Sequence, residues 1–154
     1  KVAFNQPENI NARGGMLIGS CLAGVAFTKG LGLVHSISHM VGAEYNTQHG
    51  LTNAIILPTV MKFNLPHVGE KVKYISQAMD LKEASSSIIL EDIGKILDYV
   101  QIPRALSEIG VPLECKRRIA EKAMLDSATG TNPRVAKIDD IEELTEISIL
   151  HARE

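Results

Sequence analysis

A long stretch with almost no charge is the feature of this sequence that most limits how it can fold. Residues 14–61 number 48 and include only two charged side chains, Lys29 and Glu44, whereas the 93 residues of 62–154 include 29. A water-soluble chain can leave so many residues uncharged only by burying them, in its own core or against another domain or subunit. We therefore expect residues 14–61 to supply buried surface and the later part to supply solvated faces.

The size and composition are those of one globular domain spanning residues 1–154. Of the 154 residues, 45% are hydrophobic and 22% are charged, which argues against disorder. The formal net charge of -2 gives no reason to expect nucleic acid or an anionic membrane as partner. No run reaches the roughly 18 uninterrupted apolar residues typical of a membrane span. With only two cysteines, we expect a reducing, cytoplasmic setting, and we expect Cys21 to pack among apolar neighbours.

Hydrophobic periodicity indicates helices throughout, so the predicted fold is an all-α helical bundle. The first predicted helix is rich in small residues, which implies that another backbone packs closely on it and buries it. Pro58 should kink or break the third one. The predicted helical segments are residues 9–29, 33–43, 50–64, 86–100, 113–127 and a last helix beginning at 139 or 140.

The later helices carry clear inward-facing positions. In the segment 113–127 these are Ile119, Ala120, Ala123 and Met124. The last helix is predicted to be capped by Asp139 or Asp140 and to turn four aliphatic residues inward: Ile141, Leu144, Ile147 and Leu150. The loop 130–134 before it is interpreted as a capped turn, with contact to a phosphate as the alternative.

Three of the five histidines, His35, His39 and His49, lie in the charge-poor stretch. His35 and His39 are four residues apart, so on a helix they share one face. Neutral imidazoles in such surroundings are good ligands for Fe(II) or Zn(II), but two or three of them need a further anionic ligand. Glu44 is the only acid nearby in sequence. Histidines at this spacing also occur at surfaces and in cores, so the spacing leaves both interpretations open, and His67 and His151 are expected at the surface.

The residues around the histidines resemble a known signature. Residues 32–52 read GLVHSISHMVGAEYNTQHGLT. This segment is similar to the histidine-rich signature of the iron-containing (group III) alcohol dehydrogenases, including the H-x3-H pair and the final His-Gly. The resemblance continues through NAIILP at 53–58, GVP at 110–112 and ATGTNPR at 128–134, so it covers nearly the whole chain.

The resemblance implies a parent protein of two domains with different functions. In this family an N-terminal α/β domain binds NAD or NADP, and a C-terminal all-helical domain holds the metal. Only the later part of the helical domain is matched here. By position, His35 and His49 would be two of four metal ligands, and the other two, an aspartate and a histidine, would lie on an upstream helix. His39 would face substrate and nicotinamide and relay the proton, and Phe27 would line that pocket.

The chemistry implied by the resemblance is hydride transfer between a primary alcohol or aldehyde and a nicotinamide. The metal, Fe(II) with Zn(II) as the alternative, would act as a Lewis acid. The 154 residues alone are expected to be inactive, and to aggregate or form homo-oligomers through apolar surface left uncovered.

Two other interpretations stay open. One is a non-catalytic helical module, derived from the enzyme, that self-associates through its glycine-rich first helix. The other is a zinc-dependent relative of glycerol dehydrogenase, although the histidine spacing and the TNPR loop fit the alcohol dehydrogenases better.

Overall fold

The computed structural model describes residues 1–153, which form eight α-helices joined by short 3-10 turns, with no strand among them. The prediction of an all-α fold is therefore confirmed. The helices are α1 (Val2–Asn5), α2 (Ile10–Ala26), α3 (Leu33–Tyr45), α4 (His49–Asn64), α5 (Lys71–Ala78), α6 (Ser86–Tyr99), α7 (Lys116–Met124) and α8 (Ile138–Leu150).

The core lies between α3, α4, α7 and α8, which pack on one another, while α6 packs on α4. The charge-poor stretch supplies much of this core from Leu33 onward, because α3 and α4 turn aliphatic side chains inward. The most buried hydrophobic residues of these four helices are Leu33, Ile37, Val41, Ile55, Ile56, Val60, Ile119, Ala120, Ala123, Ile141 and Ile149. The expectation that this stretch supplies buried surface is thus met in its second half.

Helix α2 departs from the prediction, because none of its residues is buried. Asn9 begins it as expected, with its side chain accepting a hydrogen bond from the backbone N–H of Ala12 at 3.0 Å. Its aliphatic side chains nevertheless face outward, and no atom of another element lies within 4 Å of a Cβ placed on Gly15 or Gly19. The prediction that Cys21 packs among apolar neighbours is also wrong, since it is exposed on this helix. The described residues contribute no element that covers α2.

The same region passes a simple test for a membrane span. Ile10–Lys29 has a mean hydropathy of 1.3 and is the one described helix long and apolar enough to cross a bilayer, by length and composition alone. Glycine and serine residues interrupt the apolar run but lower its mean hydropathy only a little. The segment therefore meets a criterion based on mean hydropathy, although it does not contain an uninterrupted apolar run.

Three details of the later helices differ from the predictions. Helix α4 continues through Pro58, so the predicted break does not occur, and the kink given as the alternative stays a prediction. Helix α7 ends at Met124, whose side chain is exposed rather than turned inward, because the chain leaves the helix there. Helix α8 begins at Ile138, and Asp140 lies inside its first turn, where its carboxylate accepts a hydrogen bond from the Lys137 N–H at 2.7 Å.

Two differences remain, one at the end of α8 and one in a helix that the sequence pattern does not predict. Leu150 is exposed at the last residue of α8, whereas Ile141 and Leu144 are buried as predicted and Ile147 is half-buried. Helix α5 has no counterpart among the predicted segments. The remaining two histidines, at 67 and 151, are at the surface, as expected.

Candidate metal and substrate site

Three imidazole rings form a cluster where α3 meets α4. His35 and His39 lie one turn apart on α3, and His49 is the first residue of α4. Asn46 ends α3 with a φ of +51°, a left-handed conformation that asparagine tolerates, and thereby turns the chain so that α4 packs on α3. The ring centroids of His35, His39 and His49 are 5.4–5.8 Å apart. The three histidines selected from the sequence are thus brought together.

The Nε2 atoms of His35 and His49 converge on one point, which is occupied by the side-chain amide of Asn53. Asn53 Nδ2 lies 3.3 Å from His35 Nε2 and 3.0 Å from His49 Nε2. Since the amide nitrogen has two hydrogens and no lone pair to offer, it donates one hydrogen bond to each ring. Two unprotonated Nε2 atoms facing one position are the arrangement that a metal ion needs from a pair of imidazoles.

Burial keeps one of these rings neutral. Burial first, and then the neighbouring His49 and His39 rings, hold the pKa of His35 below its usual value, although Asp126 opposes them. A neutral imidazole is the form that binds a metal.

The third ring, His39, has an acidic partner that the sequence analysis missed. Its Nδ1 lies 2.9 Å from Oδ2 of Asp126, which follows α7. Asp126 also accepts a hydrogen bond from the Ala128 N–H at 2.8 Å. Burial raises the pKa of this carboxyl, but the hydrogen bonds from His39 and Ala128 outweigh it, so the pKa lies below its usual value. An ionised carboxylate only accepts, so Nδ1 of His39 donates this hydrogen bond, and in the neutral ring the lone pair is then on Nε2.

Glu44, the only acid that the sequence analysis considered for the site, serves another purpose. Its carboxylate pairs with Arg118 at 2.8 Å and with Lys122 at 2.6 Å, both on α7. Hydrogen bonds from these two side chains hold the pKa of Glu44 below its usual value. Glu44 therefore joins α3 to α7. The acid that does reach the histidines, Asp126, is 87 residues from His39, and no spacing rule would have selected it.

An apolar hollow lies beside His35. The Phe27 ring meets the His35 ring edge-on, with centroids 5.2 Å apart and planes at 80°. Both side chains line a cavity of about 480 Å³. The rest of its wall comes mainly from the Gly30–Gly32 turn, from α4 and from the loop at 132–133: Ala23, Ala26, Leu31, Leu33, Val34, Asn53, Ala54, Leu57, Val60, Asn64, Asn132 and Pro133. A flat or aliphatic group would fit this hollow next to the histidines.

The loop 130–134 holds the histidine helix in place. Asn132 Oδ1 accepts a hydrogen bond from the N–H of Leu33, the first residue of α3, at 3.2 Å. The Asn132 amide also pairs with the Asn64 amide through bonds of 2.9 and 2.8 Å. The prediction of a capped turn before the last helix is confirmed, because Asp126 caps the turn Ser127–Thr131. Asn132 in addition caps α3, so its side chain is occupied by protein groups.

Two glycines allow that loop to approach. A Cβ on Gly32 would lie 2.9 Å from Asn132 Oδ1, and one on Gly30 would lie 2.6 Å from Thr131 Cβ. Gly30 also has a φ of +101°, which side chains rarely adopt.

The donor set fits part of a metal site. Two neutral imidazole Nε2 atoms suit Fe(II) and Zn(II), which accept nitrogen ligands. In the described part of the chain, however, no group of three or more His, Cys, Asp or Glu side chains is arranged to hold an ion. Tetrahedral zinc needs four ligands, and a two-histidine iron site needs a carboxylate. His35 and His49 are the two described residues whose ring nitrogens face one position at this site.

The fold defines the class of protein. An alcohol dehydrogenase from Oenococcus oeni superposes with a TM-score of 0.89 at 27% identity, covering 95% of this chain and 40% of that one. A 1,3-propanediol oxidoreductase superposes with a TM-score of 0.84 at 30% identity, covering 92% of this chain and 39% of that one. The helices are therefore those of the helical domain of alcohol dehydrogenases.

The sequence comparison identifies the family. The model of the "Fe-containing alcohol dehydrogenase family, C-terminal" matches residues 1–149, and the chain belongs to this family. Lactaldehyde reductase of Escherichia coli K12 is 40% identical over 136 residues, which are 84% of this chain and 36% of the relative. The NAD-dependent methanol dehydrogenase of Bacillus methanolicus is 40% identical over 149 residues, 89% of this chain and 38% of the relative. The chain therefore spans little more than a third of the length of these relatives.

Proposed function

We propose that this chain is the C-terminal, metal-binding helical domain of an iron-dependent, NAD(P)-linked alcohol dehydrogenase or aldehyde reductase. The observation that carries the proposal is the convergence of His35 Nε2 and His49 Nε2 on one point. Family membership supports it, as do relatives whose names are those of alcohol dehydrogenases and an aldehyde reductase.

In this proposal His35 and His49 bind the ion through Nε2, and an upstream part of the parent polypeptide supplies the other two ligands. The ion is Fe(II), with Zn(II) as the alternative, and when bound it supplies Lewis-acid polarisation of the substrate oxygen. The two histidines contribute neutral donors on two different helices, so their separation depends on how α3 packs against α4. The ion site is therefore held by the core of the domain.

His39 is the proposed proton relay. Asp126 accepts from its Nδ1, which orients the ring and leaves Nε2 as the atom that takes or gives a proton. The His39 side chain is 37% exposed, so it can reach both the substrate and water. Asp126 is proposed to act as a positioning residue, because its carboxylate holds the His39 ring through Nδ1.

Phe27 and the hollow beside His35 are proposed to receive the nicotinamide and the small alcohol or aldehyde. The dinucleotide itself, NAD or NADP, would be held by an upstream domain. The uncovered α2 is proposed to pack against that domain or against a second subunit, which accounts for its apolar outer face. Because the family match includes α2, we propose packing on protein rather than insertion into a membrane, and a cytoplasmic location.

The proposal is tested by anaerobic titration of the chain with Fe(II) and with Zn(II). Weak binding that is lost in the His35→Ala, His49→Ala double variant would support two ligands of an incomplete site. A His67→Ala variant is the matched control, because His67 is a surface residue on a 3-10 turn. Tight one-to-one binding that survives the double variant would contradict the assignment, as would NAD-dependent alcohol oxidation by this chain alone.

The exposed α2 favours a second candidate, a non-catalytic module that self-associates through this helix. Six of its aliphatic or sulfur-containing side chains are more than 60% exposed: Ile10, Met16, Leu17, Ile18, Leu22 and Val25. Sedimentation would separate the two. If the chain is such a module, it should form one defined oligomer, and Leu17→Glu should dissociate that oligomer. If the chain is part of an enzyme, the isolated chain should associate without a fixed stoichiometry, and only the parent polypeptide should form a defined oligomer. A zinc-dependent relative of glycerol dehydrogenase would be recognised by glycerol-only activity of the parent.

A further inference from the structure

A second cavity, of about 970 Å³, lies between α4, α6 and α8. Helix α4 packs on both α6 and α8, and residues of all three helices line the cavity. It shares no lining residue with the hollow beside His35. Its apolar wall includes Phe63, Leu90, Leu144 and Ile147. A cavity of this size has room for a small organic molecule, and the function proposed above does not use it.

A buried guanidinium group in the wall of this cavity lacks hydrogen-bond acceptors. The Arg153 side chain is 6% exposed and lines the cavity. Its Nη2 donates to the Ile102 carbonyl at 2.5 Å and lies 3.3 Å from Asp98 Oδ1. Its Nε and Nη1 are buried and have no hydrogen-bond partner among the described residues. Since buried charged donors without acceptors are costly and rare, these two nitrogens indicate an acceptor that enters the cavity from outside the chain.

A second guanidinium group lies in the same wall. The Cζ atom of Arg134 is 3.7 Å from the centre of the Phe63 ring, and its Nη1 donates a long hydrogen bond to the Phe63 carbonyl at 3.4 Å. A guanidinium group stacked on a ring keeps its remaining N–H groups available in its own plane. The cavity therefore combines an aromatic surface with donors that suit an oxyanion.

Four acidic side chains also line the cavity, and three of them have partners of their own. These pairs are Glu91 with Lys95 at 2.6 Å, Asp98 with Arg104 at 2.8 Å, and Asp140 with the Lys137 N–H at 2.7 Å. The fourth acid, Glu143, is exposed. The partners reduce the negative charge that the cavity presents, whereas Lys62, Arg134 and Arg153 add positive charge to it.

We propose that this cavity binds a small organic carboxylate, with the carboxylate at Arg153 and the hydrocarbon body against Phe63 and Ile147. Lys62 and Arg134 attract the anion, and a carboxylate has enough lone pairs to accept several hydrogen bonds. Nε and Nη1 lie below the surface of the wall, so the Arg153 side chain turns toward the ligand to donate through them.

Two physical effects favour such a ligand. Burial holds the pKa of Arg153 below its usual value, although Asp98 opposes it, because desolvation disfavours the charged guanidinium group. An anion beside Arg153 offsets that penalty. The apolar wall favours an anion with a hydrocarbon body over a small inorganic ion, since the body displaces water from Phe63 and Ile147.

The first experiment is calorimetric titration of the 154-residue chain with hexanoate, hexanamide and inorganic phosphate. Hexanamide has the same length as hexanoate but no charge, and phosphate has charge but no hydrocarbon body. We expect hexanoate to bind one-to-one, and hexanamide and phosphate to bind at least about tenfold more weakly, the size of one charge-assisted hydrogen bond or of a few buried methylene groups.

Variants of the cavity wall then locate the ligand. Arg153→Met keeps an unbranched apolar side chain but removes the guanidinium group, and should weaken hexanoate binding about tenfold or more. Arg104→Met is the matched control, because Arg104 pairs with the same Asp98 but does not line the cavity, and should change the affinity by less than about twofold.

A substitution at Gly94 tests the cavity without removing a charge. Gly94 lies on α6 in the cavity wall, and a Cβ placed on it meets no atom within 4 Å. Gly94→Leu should therefore fill part of the cavity and abolish hexanoate binding. Because leucine favours a helix more than glycine does, α6 should remain stable in this variant.

Binding of hexanoate that is lost in Arg153→Met and Gly94→Leu but kept in Arg104→Met supports the proposal. No hexanoate binding by the wild-type chain, equal binding of hexanamide, or undiminished binding by Gly94→Leu overturns it. Phosphate bound as tightly as hexanoate also overturns it, in favour of a general anion site. If Arg153→Met does not fold, Gly94→Leu and the three ligands still decide. None of these measurements needs a metal ion or catalytic activity, so they are independent of the function proposed above.

Discussion

Asp126 accepts a hydrogen bond from Nδ1 of His39 across 87 residues of sequence. It is the acid that reaches the histidine cluster, and it comes from the turn that follows α7. A carboxylate behind an imidazole fixes which ring nitrogen is protonated and in which direction the other one points. His39 is on α3 and Asp126 directly precedes the turn at 127–131, so the packing of α3 against this turn brings the two side chains together.

If the parent polypeptide is an alcohol dehydrogenase, we expect Asp126→Asn to lower its kcat about 10- to 100-fold while changing KM little, because the amide no longer fixes the orientation and tautomer of the His39 ring. Steady-state kinetics with a primary alcohol is the measurement. A double-variant cycle provides the control: in a His39→Ala background, Asp126→Asn should have almost no further effect. Additive losses would show that Asp126 acts by some other route.

Asn132→Ala should destabilise the chain by about 2 kcal/mol, because it removes both the cap of α3 and the paired amide of Asn64. Urea unfolding followed by circular dichroism measures the change. Asn9→Ala removes a cap alone, from the uncovered α2, and should cost about 1 kcal/mol or less. Equal losses in the two variants would mean that the Asn132–Asn64 pair contributes nothing.

Two glycine substitutions should act in opposite directions. Gly30→Ala should cost at least about 2 kcal/mol, since the new Cβ would have a φ of +101° and lie 2.6 Å from Thr131 Cβ. Gly15→Ala, in an open part of α2, should raise the stability of the isolated chain by up to about 1 kcal/mol. Thermal unfolding measures both. In the parent polypeptide the gain at Gly15 should vanish if another element packs on that face.

The Glu44 ion pairs predict how stability depends on pH. The folded-state pKa of Glu44 lies below its usual value, so the unfolded chain takes up the proton first as the pH falls. The contribution of Glu44 is present above the unfolded-state pKa and is lost as the pH falls through the folded-state pKa. The stability difference between wild type and Glu44→Gln, measured by denaturant unfolding, should therefore be constant near neutrality and shrink below about pH 4.3.

The basic partners of Glu44 provide the check on that prediction. In an Arg118→Ala, Lys122→Ala background, the stability change caused by Glu44→Gln should lose most of its dependence on pH. A pH-dependent change of undiminished size would mean that the two basic residues are not its cause.

The sequence predicted best what depends on local pattern. The amphipathic α6 and α8 follow from residues at helical spacing, and the grouping of His35 with His39 follows from a four-residue interval. The short α5 was not anticipated, since eight residues with few aliphatic side chains give little periodic signal. The spacing of Ala120 and Ala123 predicts that Met124 faces the core, but the helix ends at Met124 and its side chain is exposed.

Contacts between residues that are distant in the sequence could not be predicted from residue spacing. Asp126 reaches His39, and Asn53 reaches His35, only because separate elements pack together, and no interval in the sequence marks either contact. The burial expected of α2 was inferred from its composition. Composition indicates that a surface is covered but not which part of a protein covers it, and the described residues leave this helix open.

The hydrogen bond from Leu33 to Asn132 also has a consequence for the order of folding. The two residues that it joins are 99 positions apart. The helix that carries His35 and His39 therefore lacks its N-terminal cap until almost the whole of this chain has left the ribosome. Because such long-range contacts form slowly, we expect this cap to form after the local contacts between α3 and α4.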